Sequence, residues 1–275
     1  MIGAICGDQI GSRFEFHNNT PIDALFSDKS TYTDDTVLTL ATADVILNGG
    51  SYSKNYLDYA QDYPNRGYGG SFAEWVKNGG GEPYNSYGNG SAMRISPIGW
   101  AFDNINDTAR EAKKSADTTH DHLEGEKGAV AIACAIWLAR NGYDKEQIKS
   151  VLEKEPLGYD LSIKMDAFPK KFDVTCQGTI PRCMAIFFET DNFEDAMIAG
   201  IKMGGDVDTN CCIVGGICDA TYGLPNREII EAVYSRLPKQ MTDIVTAFTI
   251  KYIDKNFVEP EKIATKASTI EGANS

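Results

Sequence analysis

The sequence predicts an all-α protein: one compact multi-helix domain over residues 1–258 and a polar tail over 259–275. Three observations lead there. Apolar residues recur at helical spacing in segment after segment, and no series of alternating strands appears. The apolar runs open on Asn, Asp, Ser or Thr and close on Gly or Pro, the residues that start and stop helices. At 275 residues and 42% hydrophobic content, the chain is long enough to bury one large core.

The elements follow in order. In residues 1–16, Gly3, Gly7 and Gly11 recur every fourth position and make a small-residue seam if the segment is helical. Asp8, Ser12 and Glu15 share another face, which is either the polar edge of a cavity or an ordinary solvent face. Residues 17–32 read as a loop. The run from Val37 to Leu47 reads as one helix, closed by Asn48-Gly49-Gly50. Helices are expected at 52–62, capped by Ser51 or Ser53, and at 72–76. Residues 78–92 are rich in Gly and Asn. Helices follow at 106–116, capped by Asn106 or Asp107, and at 124–141, a run of small residues suited to close central packing. An exposed amphipathic helix spans 144–155, and residues 157–178 fit a short helix with loops. Apolar helices are expected at 182–188, after Pro181, and at 193–203, capped by Asp191 or Asn192. The last three span 208–223, 226–236 and 241–255.

Two helix mouths carry unusual chemistry. Thr33-Asp34-Asp35-Thr36 opens the first, and Asp206-Val207-Asp208-Thr209 opens the second after a tight Gly204-Gly205 turn. Asp or Thr at a helix start is an ordinary cap, and acidic groups there suit the helix dipole. Two carboxylates and a hydroxyl at both mouths exceed what capping needs. Hard oxygen donors in that number suit Mg²⁺, Mn²⁺ or Ca²⁺. The loop Gly88-Asn89-Gly90-Ser91 offers backbone N–H groups that suit a phosphate, but it is neither a P-loop nor a dinucleotide fingerprint. His120 is either a buried polar link or a ligand contact.

Composition excludes several classes. A net charge of −13 argues against a general nucleic-acid or membrane-surface binder. No apolar run reaches the length of a membrane span. Asp8 follows the apolar start too soon for a signal peptide, and no basic segment precedes it. Seven cysteines without a C-x-x-C pair fit buried free thiols in a reducing cytoplasm. His17, His120 and His122 do not fall at zinc spacing with any cysteine pair.

In this order, Thr33-Asp34-Asp35-Thr36, Gly88-Asn89-Gly90-Ser91-Ala92-Met93-Arg94 and Gly205-Asp206-Val207-Asp208-Thr209-Asn210 resemble motifs of the ADP-ribosylglycohydrolase family. Gly7-Asp8 to Glu15 looks like its opening helix, and His120 to Gly128 like its central motif; the match covers about residues 1–223. The resemblance implies a cleft with two Mg²⁺ (or Mn²⁺) ions held by Thr33, Asp34, Asp35, Asp206, Asp208 and Thr209. It implies Glu15 beside the ions, and Gly88, Asn89, Gly90, Ser91, Met93 and His120 along the ADP-ribose cleft. Asp34, Asp35 or Glu15 would act as base. Val207 stands where many members have Thr, and Asp219 lies too far along its helix from Asp208 to join the cage. The implied partner is an ADP-ribosylated protein or small ADP-ribosyl conjugate, with nucleic acid only as a modified substrate. A metal-dependent nucleotide phosphohydrolase and a non-catalytic ADP-ribose-binding or structural protein are the alternatives.

Overall fold

The computed structural model describes residues 1–16 and 21–260; the expected tail lies outside them from 261 on. Fourteen α-helices run through the described residues: α1 (Ile2–Gly11), α2 (Asp34–Asn48), α3 (Tyr52–Asp62), α4 (Gly70–Lys77), α5 (Gly90–Met93), α6 (Ser96–Ala101), α7 (Ile105–Ala116), α8 (Leu123–Arg140), α9 (Lys145–Leu152), α10 (Cys176–Glu189), α11 (Phe193–Met203), α12 (Val207–Tyr222), α13 (Arg227–Tyr234) and α14 (Lys239–Tyr252). Among the described residues there is no strand, only one antiparallel bridge between Gly88 and Thr175. No described helix is long and apolar enough to cross a membrane. All seven cysteines are buried and free, as their spacing predicts.

The centre of the molecule is the pair α1 and α12. Every residue of α1 is buried, so it has no solvent face. The glycine seam is what allows this. A Cβ on Gly7 would sit 2.0 Å from the Cys211 carbonyl oxygen, one on Gly3 2.2 Å from that of Gly215, and one on Gly11 2.6 Å from that of Val207. The two backbones touch along three turns. Helix α8 packs beside them with Ala129, Ala131, Ile132, Ala133, Ala135 and Ile136 buried. Gly99 of α6 meets α8 so closely that a Cβ there would lie 2.6 Å from Ile136.

Several boundaries differ from expectation, α9 ending at Leu152 and α14 at Tyr252, and three differ for reasons the structure shows. Helix α1 ends at Gly11 rather than continuing to residue 16. The chain turns there, with the Phe14 N–H donating to the Gly11 carbonyl and the Thr31 N–H to the Ser12 hydroxyl. The turn frees Glu15 from the helix. The cap of α7 is Asn104, whose side chain accepts from the Asp107 N–H at 2.9 Å, so Asn106 and Asp107 are inside the helix. Helix α10 begins at Cys176, six residues before 182, and holds Pro181 inside it. Thr175 caps it by accepting from the Gly178 N–H at 3.1 Å. The carbonyl that Pro181 cannot bond belongs to Gln177, which is exposed to water, so the proline is tolerated.

The seam gives a sharp test by thermal and urea unfolding. Gly7→Ala is expected to lose about 3 kcal/mol or more, the upper range for forcing atoms into a packed core. Gly70→Ala, where an added Cβ meets nothing within 4 Å, is expected to be near neutral.

Candidate metal centre and cleft

The N-termini of α2 and α12 open into the base of one cavity of ≈450 Å³. Both helices thus point the positive ends of their dipoles at it, which favours negative charge there. At the α2 mouth, Thr33 does the capping: its hydroxyl oxygen accepts from the Asp35 N–H at 3.3 Å. Neither Asp is needed as a cap. At the α12 mouth, Asp206 stands in the cap position, but its side chain caps nothing. Its Oδ2 instead accepts from the Asn89 side-chain amide at 2.7 Å.

Asp8 joins the two mouths. It is fully buried on α1, and its carboxylate accepts from the Thr33 N–H at 3.0 Å and the Thr36 N–H at 3.1 Å. It also accepts from the hydroxyls of Thr33, at 2.7 Å, and Thr36. Asp35 Oδ2 accepts from the hydroxyls of Thr33 and Thr209, each at 3.2 Å. Carboxylate oxygens of Asp8, Asp35 and Asp208 all lie within 4.8 Å of one another, and so do those of Glu15, Asp206 and Asp208. Asp208 belongs to both groups.

The protein balances the charge in this cluster only in small part, through Arg182 acting on Asp206. Among the described residues, no Lys or Arg forms an ion pair with any of these six carboxylates, Asp34 included. Oδ1 of Asp35 and Oδ1 of Asp208 are buried and receive no hydrogen bond. Burial, then mutual repulsion, pushes Asp34, Asp35 and Asp208 well above the usual carboxylate range. Burial also raises Asp8 and Asp206, against the hydrogen bonds they accept. Glu15, half-buried and facing Asp206, is raised to about 7. Orphaned anionic oxygens at two helix N-termini fit a hard divalent cation, which would remove this cost.

The cleft wall holds most of the residues that the sequence singled out. Glu15, Thr33, Asp34, Asp35, Gly88, Asn89, Gly90, Met93, His120, Asp206, Asp208 and Thr209 all line it. Ser91 does not: its hydroxyl points away and donates to the Gly125 carbonyl at 2.7 Å. The expected cradle of free backbone donors is also narrower. The Asn89 N–H donates to the Val174 carbonyl at 2.7 Å, through the bridge to Thr175, and the Gly88 N–H to the Ser86 hydroxyl. Gly90 and Ser91 open α5, where N–H groups have no helical partner. Asp219, at the far end of α12, accepts from the Gly3 N–H at 2.7 Å and stays out of the cluster.

Several residues in or behind the cleft wall had no ligand role in the sequence reading, and Asp8, wholly buried behind the wall, is one of them. It shows a signal in the sequence, its spacing from Glu15, but no ligand motif of its own. Arg94 lines the cavity although it is wholly buried. Phe16 and Phe172 stack at the rim with ring centroids 5.8 Å apart, and they come from segments far apart in the chain. No periodicity links such a pair.

Fold and site together define an all-α protein with a buried cluster of carboxylates, able to hold a cation, at the base of an open cleft. The chain belongs to the ADP-ribosylglycohydrolase family, whose model matches residues 1–254. It is 27% identical to mouse ADP-ribosylhydrolase ARH3, over 82% of this chain and 83% of that one. It is 25% identical to the human ARH3, over 82% and 84%. ADP-ribosylarginine hydrolase Tri1 of Pseudomonas putida is 22% identical, over 82% of this chain and 70% of Tri1. A solved structure described as an ADP-ribosylglycohydrolase-related protein complex shares the fold, with a TM-score of 0.66 at 21% identity over 90% of this chain and 95% of that one.

The raised carboxylates set a pH dependence. A folded-state pKa above the unfolded value contributes stability below the unfolded pKa that is lost as pH rises through the folded one. For Glu15 that window runs from 4.5 to about 7. In chelator, the melting temperature is therefore expected to fall as pH rises through this range. Mg²⁺ or Mn²⁺ should restore it near pH 7.5. Asp208→Asn should melt higher in chelator and lose most of the metal-induced rise.

Proposed function

We propose that the protein is a metal-dependent hydrolase that removes ADP-ribose from a protein side chain or small conjugate by cleaving the glycosidic bond at ribose C1. The observation that carries this reading is the pair of carboxylate groups sharing Asp208, with orphaned oxygens on Asp35 and Asp208. They fit two Mg²⁺ or Mn²⁺ ions held by Asp8 or Thr33, Asp34, Asp35, Asp206, Asp208 and Thr209. When bound, such ions supply positive charge that holds vicinal ribose hydroxyls and acidifies a water.

The chain's own groups do the rest. Bond cleavage at C1 develops positive charge on the ribose ring, and a strongly anionic cleft base favours that charge. Of the three candidate bases, Glu15 fits best. It lines the cleft and is only half-buried, so its carboxylate can reach a water at the cleft base. Asp35 is committed to Thr33, Thr209 and the oxygen cluster. Asn89 orients Asp206, and Thr179 in turn accepts from Asn89 at 3.1 Å. The stacked Phe16 and Phe172 stand at the rim, where the departing group would leave.

The test is release of free ADP-ribose from arginine-, serine- and nucleic-acid-linked conjugates with Mg²⁺ or Mn²⁺. Chelator should abolish it. Asp35→Asn and Asp206→Ala should each lower kcat at least about 10³-fold with helix content intact, and Glu15→Gln about 10²-fold with ADP-ribose still bound. Full activity in these variants would overturn the reading, and AMP with a phosphoribosylated conjugate as products would make the enzyme a phosphohydrolase.

A further inference from the structure

Helix α10 carries a buried cation that the proposed chemistry does not use. Arg182 is 4% exposed, and among the described residues no carboxylate forms an ion pair with it. Its guanidinium commits its donors to two carbonyls from different segments. Nη1 donates to the Gly204 carbonyl at 3.4 Å and Nη2 to the Pro169 carbonyl at 3.1 Å. The first carbonyl belongs to the turn that presents Asp206, and the second to the segment that carries Phe172. A planar fork with fixed donor directions holds two acceptors apart in a way that a point-like ammonium does not. Space clamps the turn as well. Gly204 and Gly205 have φ of 72° and 82°. A Cβ on Gly205 would lie 2.8 Å from Arg182 Nη1 and 2.9 Å from the Lys171 carbonyl oxygen. Segment 169–173 therefore lies directly against the turn.

A second tie reaches the other end of that segment. The Asn89 side-chain amide has two hydrogens. One goes to Asp206 Oδ2 at 2.7 Å and the other to the Thr179 hydroxyl oxygen at 3.1 Å. The Thr179 hydroxyl in turn donates to the Asp173 carbonyl at 3.4 Å. Residues 169–173 are thus fastened at Pro169 through Arg182 and at Asp173 through Thr179 and Asn89. Both ties end at the α12 mouth. Between them lies Phe172, which lines the cleft and stacks on Phe16.

We propose that Arg182 is a positioning residue that fastens the turn presenting Asp206 to the segment carrying Phe172, so that a cation held by the carboxylate cluster sets the aromatic wall at the cleft rim. The inference rests on the metal reading above and adds to it a route from metal to rim. Carboxylate oxygens of Asp206, Asp208 and Glu15 lie within 4.8 Å of one another, so a cation there acts on Asp206 directly. Asp206 moves only with its turn and with Asn89, and each of these is tied to segment 169–173. The guanidinium also sets positive charge near Asp206, against the burial that disfavours its ionised form. That charge is secondary to the geometry, which joins two segments that no other described side chain bridges by a single group. The departing group, leaving past the rim, then meets a wall whose position the metal centre sets.

The experiment reads the rim directly. Tryptophan emission of Phe172→Trp, corrected by the same titration of the unsubstituted protein, is expected to shift as Mg²⁺ is added. Adding Arg182→Lys, which keeps the charge and loses the fork, should abolish the shift. Arg182→Lys alone should bind Mg²⁺ about tenfold more weakly by calorimetry, the range for groups that orient a metal ligand. At saturating Mg²⁺ its KM should rise about fivefold with kcat within about threefold, because the rim rather than the reacting centre is loosened. Arg182→Lys that keeps both shift and affinity would overturn the proposal and leave Arg182 as a charge alone. Phe172→Trp that binds Mg²⁺ without any shift would overturn it too. Thr179→Val cuts the second tie and should weaken the shift, and an unchanged shift there would overturn the coupling even if Arg182→Lys fails to fold. A shift with Mg²⁺ in a protein that releases no ADP-ribose from any conjugate would overturn the hydrolase reading and leave the coupling standing. Metal-dependent release with an unmoved rim would do the reverse, and wild type that binds neither Mg²⁺ nor Mn²⁺ would overturn both.

Discussion

The cleft depends on how closely α1 approaches α12. Three glycines one turn apart let the two backbones touch, and any side chain there would overlap a carbonyl oxygen. That contact brings Asp8 of α1 within 4.8 Å of Asp208 of α12 and within hydrogen-bond reach of Thr33 and Thr36 at the start of α2. Three helices are thereby locked around one point. Were α1 held farther out by even a methyl group, Asp8 could not both brace the α2 mouth and face Asp208. Packing density and site geometry are here one constraint.

That constraint has an electrostatic cost. Like charges are buried side by side, and the protein offers no ion-paired lysine or arginine against them. Two helix dipoles offset part of this, and a divalent cation would offset most of the rest. The fold is therefore strained toward protonation when free of metal and toward ionisation when loaded. The same property that makes the centre costly is what would let it hold a hard cation. The same cleft also holds a cation, with Arg94 buried beside Thr119, which in turn meets His120. Net charge of −13 hides this polarity entirely.

Much of the fold was legible in the sequence because helix periodicity and caps are local. The spans of α2, α3 and α11 follow from their Asn, Ser, Thr and Gly borders, and the glycine seam of α1 was visible as a four-residue repeat. Errors arose where a distant partner decides. The early end of α1 depends on Thr31 meeting Ser12, and the early start of α10 rests on the Thr175 cap, with Pro181 tolerated because Gln177 is exposed. In the site, the twin acid-Thr mouths were visible as local motifs. Ser91 sits in the same motif as Gly90, but one step of helical rotation turns its hydroxyl to Gly125 and out of the cleft.

The sequence by itself determined an all-α chain, two oxygen-rich helix mouths and a glycine-rich loop, since each is written in residues a few positions apart. Only the tertiary structure decided that the two mouths face each other, that Asp8 joins them, and that Asn89 spends its N–H on Val174 and its side chain on Asp206. Only there does Arg94 come to lie beside Thr119. Backbone periodicity is set by neighbours in the chain. Coulomb interactions and hydrogen-bond pairing are set by distance in space, and folding brings residues as far apart as Asp8 and Asp208 within 4.8 Å.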